Sequence, residues 1–135
     1  MKKFLSEAVL VFSAILLMAG FQRAYAGGLH VTGQAGDLKV QVMMDKTPAE
    51  GRNTVRVRLT DRTGRPVTDA LVRVYWMMPA MGTMPSMKGF ADAARADGEY
   101  RAAMDLESSG EWHSMVKVKH AGRLLPPVRF DVDVE

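Results

Sequence analysis

The sequence contains no cysteine. Disulfides therefore cannot contribute to stability, and a protein exported to an oxidising compartment would have to rely on packing alone. No cysteine follows the apolar N-terminal run either, which excludes a lipid-modified cysteine as an anchor. Without thiolates, any site for a soft metal ion has to use thioether or imidazole ligands.

The patterns on which common enzymes depend are also missing. There is no glycine-rich phosphate loop, no Ser/His/Asp order of the hydrolase type and no pair of carboxylates placed for acid and base catalysis. The spacing of Asp92, Asp97 and Glu99 does not match a calcium-binding loop. We therefore expect a protein without enzymatic activity.

A strong excess of charge of one sign is absent. The formal net charge is +3, and three of the 18 Lys and Arg residues, Lys2, Lys3 and Arg23, lie in the first 26 positions. The rest of the chain is nearly neutral, with both signs interspersed. Such a surface lacks the basic patch that attracts nucleic acid or an anionic membrane.

The apolar run at residues 8–20 is too short to cross a membrane, because a spanning helix needs about twenty apolar residues. Two lysines precede the run, and the sequence Ala-Tyr-Ala that ends at Ala26 follows it. This arrangement is typical of a cleavable signal peptide. We expect residues 1–26 to be removed and residues 27–135 to work in the periplasm or outside the cell. The alternative is a signal anchor that is retained.

The remaining chain alternates apolar and polar residues with a period of two, which predicts strands with one buried face. The alternating runs are 38–44, 55–60, 70–76, 100–106, 112–118 and 128–134. We predict an all-β, immunoglobulin-like sandwich of about seven strands, formed by a single domain at 37–135 after a lead-in at 27–36. Residues 79–96 do not alternate and are expected to form a functional loop.

Methionine is over-represented at residues 77–87, which overlap the start of that expected loop. Five of the 11 methionines lie close together: Met77, Met78, Met81, Met84 and Met87. The last four are spaced by three, and the flanking prolines favour polyproline II, which would place them on one edge. A turn at Gly82 and Thr83 would let them converge on one ion.

Thioether sulfur is soft and neutral, so a group of methionines favours Cu(I) or Ag(I) over zinc, calcium or magnesium. The alternative is that these side chains fill the core or form an adaptable apolar surface for a partner.

A second candidate group lies in the run that contains Trp112. Strand periodicity places Trp112 on the core face, and His113 and Met115 on the opposite, solvent-facing side. An imidazole and a thioether two residues apart, about 7 Å between Cβ atoms, are able to converge on one soft ion. The alternative is an ordinary surface histidine beside an ordinary surface methionine.

Several short segments occur in an order that resembles the YtkA-like domain, a group related to the periplasmic part of FixH-type proteins. They are 64–67, 70–72, Met-Pro-Ala-Met at 78–81, Asp-Gly-Glu-Tyr at 97–100 and Gly-Glu-Trp at 110–112. The resemblance covers residues 37–134. It implies an immunoglobulin-like sandwich and an extracytoplasmic role in copper handling or oxidase assembly, and relatives also occur with copper-efflux adaptor subunits.

The resemblance also assigns roles to individual residues. Met78 and Met81 match the Met-Pro-x-Met positions of the family, and Tyr100 and Trp112 match its core positions. His113 with Met115 is similar to the His-x-Met pair of periplasmic Cu(I) chaperones, although the spacing to the other methionines differs.

The leading hypothesis is therefore a copper-binding protein that buffers or delivers Cu(I), or Ag(I), through Met77, Met78, Met81, Met84 and Met87, with His113 and Met115 as further ligands. Its expected partners are the metal ion and a copper-handling or oxidase-assembly protein. The alternative is an interaction module whose methionine-rich loop docks on a membrane-bound or secreted partner.

Overall fold

The computed structural model describes residues 28–135, so the expected signal peptide at 1–26 lies outside the described part of the chain. The described residues form ten strands: β1 (Leu29–Ala35), β2 (Leu38–Met44), β3 (Gly51–Thr60), β4 (Leu71–Met78), β5 (Met87–Asp92), β6 (Ala94–Ala96), β7 (Glu99–Leu106), β8 (Gly110–His120), β9 (Arg123–Leu124) and β10 (Val128–Val134).

The strands form two antiparallel sheets. The first sheet has the order β1-β2-β3-β7-β6, and the second has the order β10-β8-β4-β5, with β9 paired to β8. The alternating side chains of both sheets meet between them in one buried cluster. This arrangement confirms the prediction of an all-β sandwich, because each sheet buries one face and exposes the other.

Two large aromatic side chains occupy the core. Trp112 of β8 and Tyr100 of β7 are both almost fully buried. The hydroxyl of Tyr100 donates a hydrogen bond to the carbonyl of Val67 (2.9 Å) and accepts one from the amide of Ala70 (3.1 Å). Tyr100 thereby fixes the segment that leads into β4, which belongs to the opposite sheet.

The expectation of one long loop at 79–96 is wrong for its second half. Residues 87–96 form β5 and β6, and the chain passes from the second sheet to the first within a single residue, Ala93. The sequence hides β5 because two of its three inner positions hold the small residues Gly89 and Ala91. A side chain at Gly89 would begin 2.6 Å from the indole of Trp76, so the middle of the inner face has no room for the large apolar residue that reveals a strand.

The N-terminal segment also contains more regular structure than the sequence indicates. Most of the expected lead-in at 27–36 is β1, which pairs with β2 at the edge of the first sheet. The short strands β6 and β9 were also not expected, and the described residues form ten strands rather than about seven. In the described part of the chain, no helix has the length and apolar character needed to span a membrane.

Candidate metal centre

The outer face of the second sheet carries the candidate site. In β8, Trp112, Ser114 and Val116 are buried, whereas His113 is exposed and Met115 is half-buried on the outer side. This confirms the face assignment made from the sequence. The alternation follows because Trp112 and the valines of β8 contribute to the core, and neighbouring side chains on a strand point to opposite faces.

Strand register places a second methionine beside His113. Met77 of β4 lies directly opposite His113 of β8, and Tyr75 lies opposite Met115. Directly opposite residues on antiparallel strands have Cβ atoms about 4.5–5.5 Å apart, and diagonal neighbours lie about 7–8 Å apart. Met77, with 48% of its surface exposed, therefore has its thioether within reach of both His113 and Met115.

The other neighbour of His113 is a carboxylate. Asp131 of β10 lies directly opposite His113, and its Oδ1 is 2.9 Å from the imidazole Nδ1. This hydrogen bond raises the pKa of His113 above its ordinary value, and the negative charges of Asp131 and Glu111 act in the same direction. A carboxylate on Nδ1 holds the ring in place and leaves Nε2 as the nitrogen for a metal ion, an arrangement common around metal-bound histidines.

The five clustered methionines do not share one surface. Met78 is 2% exposed and lies in the core, where the hydroxyl of Ser108 donates a hydrogen bond to its sulfur at 3.5 Å. Met87, directly opposite Met78 in the β4/β5 pair, is half-buried and packs against the same core. Met77 is on the outer face because it is one residue away from Met78 on the same strand.

Met81 and Met84 lie at the tip of the β4/β5 hairpin. Each donates its amide to the carbonyl of the other, at 3.1 and 2.9 Å, and the chain reverses between them at Gly82 and Thr83. Gly82 has a φ of 57°, a conformation that glycine adopts without strain. The reversal expected at these two residues is thus present, but in a hairpin rather than a polyproline segment, so the four methionines do not form one edge. Both methionines are exposed, and their pairing makes them directly opposite neighbours across the hairpin.

The opposite half of the same outer face is basic and apolar. A groove of about 560 Å³ lies between the exposed Leu71 and Leu124, with Lys117 and Lys119 among its lining residues. The Lys117 ammonium is 4.8 Å from the centre of the Tyr75 ring, within range of a cation–π contact. The outer face therefore has a methionine and histidine end and a cationic, apolar end.

Sequence reasoning missed two residues beside the candidate site, Glu111 and Asp131. Both are on the outward positions of their strands, and strand periodicity alone would have indicated that. Glu111 lies two residues before His113 on the same strand, so its proximity could have been read from the sequence, whereas the position of Asp131 depends on the register of β8 with β10, about which sequence periodicity carries no information.

The fold and this face define a small β-sandwich domain with methionines exposed on one sheet and on one hairpin tip. The YtkA-like family matches residues 32–117, well over half of the chain, so the protein belongs to the YtkA-like family. The matched region includes the β4/β5 hairpin and ends within β8, before Asp131. Comparisons with curated proteins and with solved structures give no match.

Proposed function

We propose that this YtkA-like protein binds Cu(I) or Ag(I) outside the cytoplasm and buffers or delivers the ion without catalysing a reaction. The observation that carries this proposal is the register of β4 and β8, which brings Met77 and Met115 around His113 on an exposed face. The proposed location in the periplasm or outside the cell is supported by the signal-like sequence at 1–26.

The donor set suits a soft, monovalent ion. Two thioethers and one neutral imidazole provide three ligands without negative charge, a combination that binds Cu(I) and Ag(I) in preference to harder cations. Sulfur in a thioether does not take up a proton, so only His113 competes with protons for the ion. The hydrogen bond that Nδ1 of His113 donates to Asp131 fixes the imidazole and would increase its basicity as a ligand.

Exposure of the site suits transfer rather than storage. Met77 and His113 are both open to solvent, so a partner protein is able to approach the ion and replace the ligands one at a time. Met81 and Met84 form a second pair of soft ligands at the exposed tip of the β4/β5 hairpin. This pair would serve as an auxiliary position for capture or release of the ion.

The test is a Cu(I) titration of the purified protein against a competing chelator. Replacing both Met77 and Met115 by Leu removes two sulfurs while it retains volume and apolarity. We expect this variant to remain folded and to lose at least tenfold in Cu(I) affinity. A matched control is Met43→Leu, a half-buried methionine on β2 of the other sheet, which should bind as the parent does. Equal affinity in all three proteins would contradict the proposal.

The methionine pair of the hairpin tip is tested separately. Met81→Leu with Met84→Leu should reduce affinity less than the change on the sheet face, because the tip lacks the imidazole. If the tip variant loses most of the affinity and the face variant little, the site belongs to the loop, as the sequence alone suggested.

A second candidate function is docking of a protein partner with acidic and apolar side chains. The groove between Leu71 and Leu124, with Lys117 and Lys119, supports this alternative through its exposed apolar area and positive charge. A copper-handling or oxidase-assembly protein would be a partner of this kind. If the Met77 and Met115 variant loses Cu(I) binding but retains its activity in the cell, docking becomes the better account.

A further inference from the structure

We propose that His113, Glu111 and Asp131 form a second metal site, for a divalent ion such as Zn²⁺ or Cu²⁺, and that this site competes with the soft-metal site for the His113 ring. The divalent site stands on its own geometry, whereas the competition between the two sites rests on the proposed function. All three side chains are exposed, and their ligand atoms lie within 4.8 Å of one another.

Strand geometry explains why these three side chains meet. Glu111 precedes His113 by two residues on β8, so both project from the outer face. Asp131 lies directly opposite His113 on β10, and Asp133 lies opposite Glu111. The convergence is thus fixed by the backbone pairing of β8 with β10, while the exposed side chains are able to adjust their rotamers around an ion.

The distances fit a small divalent ion. Zinc binds nitrogen and carboxylate oxygen at roughly 2.0–2.2 Å, which places two ligand atoms of one ion roughly 3 to 3.5 Å apart. The existing separation of 2.9 Å between Nδ1 of His113 and Oδ1 of Asp131 is already close to that value. Rotation of the exposed Glu111 side chain would bring the third ligand in, and water would complete the coordination shell.

The ligand types separate this site from the soft-metal site. One imidazole and two carboxylates favour borderline divalent ions, whereas thioethers favour monovalent copper and silver. Calcium is a poor fit because it takes six to eight oxygen ligands. Asp133 adds further negative charge to the row next to the site. His113 therefore has a hard ligand, Asp131, on the β10 side and a soft ligand, Met77, on the β4 side.

The imidazole chemistry makes the two sites exclusive. A neutral imidazole has one nitrogen with a free lone pair and one that carries a proton. A divalent ion held with Asp131 would use Nδ1 and require the proton on Nε2. A soft ion held with Met77 would use Nε2 and retain the proton on Nδ1 for the hydrogen bond to Asp131. One ring is thus unable to serve both ions in its neutral form, and the protein would respond to which type of ion is present.

The test uses two ions without redox chemistry, Zn²⁺ for the hard site and Ag(I) for the soft site, each titrated into the purified protein by calorimetry. The double variant Glu111→Gln with Asp131→Asn retains side-chain size but removes both carboxylates. We expect it to lose at least tenfold in Zn²⁺ affinity and to change Ag(I) affinity much less. The variant Met77→Leu with Met115→Leu should lose Ag(I) affinity and change Zn²⁺ affinity much less. His113→Ala should weaken the binding of both ions. Prior saturation with Ag(I) should lower the apparent Zn²⁺ affinity of the parent.

Asp133→Asn is the matched control, because it removes a neighbouring carboxylate that is not one of the three ligands; its Zn²⁺ affinity should change less than threefold. Absence of Zn²⁺ binding by the parent, or unchanged binding by the double carboxamide variant, would overturn the divalent site. Loss of Ag(I) binding alone has a different meaning. If the parent binds Zn²⁺ through these residues but does not bind Ag(I), the proposed function fails and the divalent site stands without competition.

Discussion

Replacement of Trp112 by alanine provides a direct test of how β8 is oriented in the sandwich. Trp112 is 1% exposed, and its indole Nε1 donates a hydrogen bond of 3.0 Å to the carbonyl of Ser108. Truncation of a buried tryptophan to alanine costs about 3–5 kcal/mol because it leaves a cavity. The lost hydrogen bond adds little, since it is only partly buried. The expected loss is a large share of the roughly 5–15 kcal/mol that stabilise a domain.

The assay is urea unfolding followed by far-UV circular dichroism, with His113→Ala as the control. His113 is the next residue on the strand, but its side chain is 54% exposed, so its loss should leave the free energy of unfolding almost unchanged. The Trp112 variant should show a much lower midpoint at an unchanged slope. Similar destabilisation by both substitutions would refute the assignment of buried and exposed faces.

Three further predictions concern Tyr100 in the core and His113 with its partner Asp131 on the outer face. Tyr100→Phe should reduce the free energy of unfolding by about 1–3 kcal/mol, because the buried polar groups of Val67 and Ala70 lose their partner; urea unfolding measures this, and a parent-like midpoint would contradict it. Asp131→Asn should lower the pKa of His113 towards its ordinary value, since the carboxylate that raises it is removed; an NMR titration of the ring measures this, and an unchanged titration would contradict it. Because the raised pKa keeps His113 protonated to higher pH, Cu(I) affinity in the parent should weaken as the pH falls through that raised value, and the same loss should begin at lower pH in the Asp131→Asn variant.

The sequence predicted the faces of the strands better than their pairing. The buried position of Trp112 and the outward position of His113 follow from local alternation, which depends only on neighbouring residues. Alternation through Trp76 also predicts that Met78 is buried and Met77 exposed, but the spacing of three favoured a different conformation. Proximity of Asp131 to His113 could not be predicted, because register between distant strands is decided by packing of the whole core.

There is a specific physical reason why the sequence pattern does not reveal β5. In β5 the middle inner position is a glycine because the indole of Trp76 occupies the space above Gly89. Its outer positions include Phe90, so the usual pattern of large residues inside and polar residues outside is partly inverted. A sequence pattern based on hydrophobicity therefore indicates a loop where the structure has a strand.

We propose that the outer sheet face, rather than the core methionines, binds the soft ion. The most direct test of this proposal is an Ag(I) titration of the protein labelled with carbon-13 at the methionine methyl groups, followed by NMR. We predict that the methyl signals of Met77 and Met115 shift first, together with the His113 ring, while that of the buried Met78 stays in place. Shifts confined to the hairpin tip, or no methionine shift at one equivalent of Ag(I), would contradict the account.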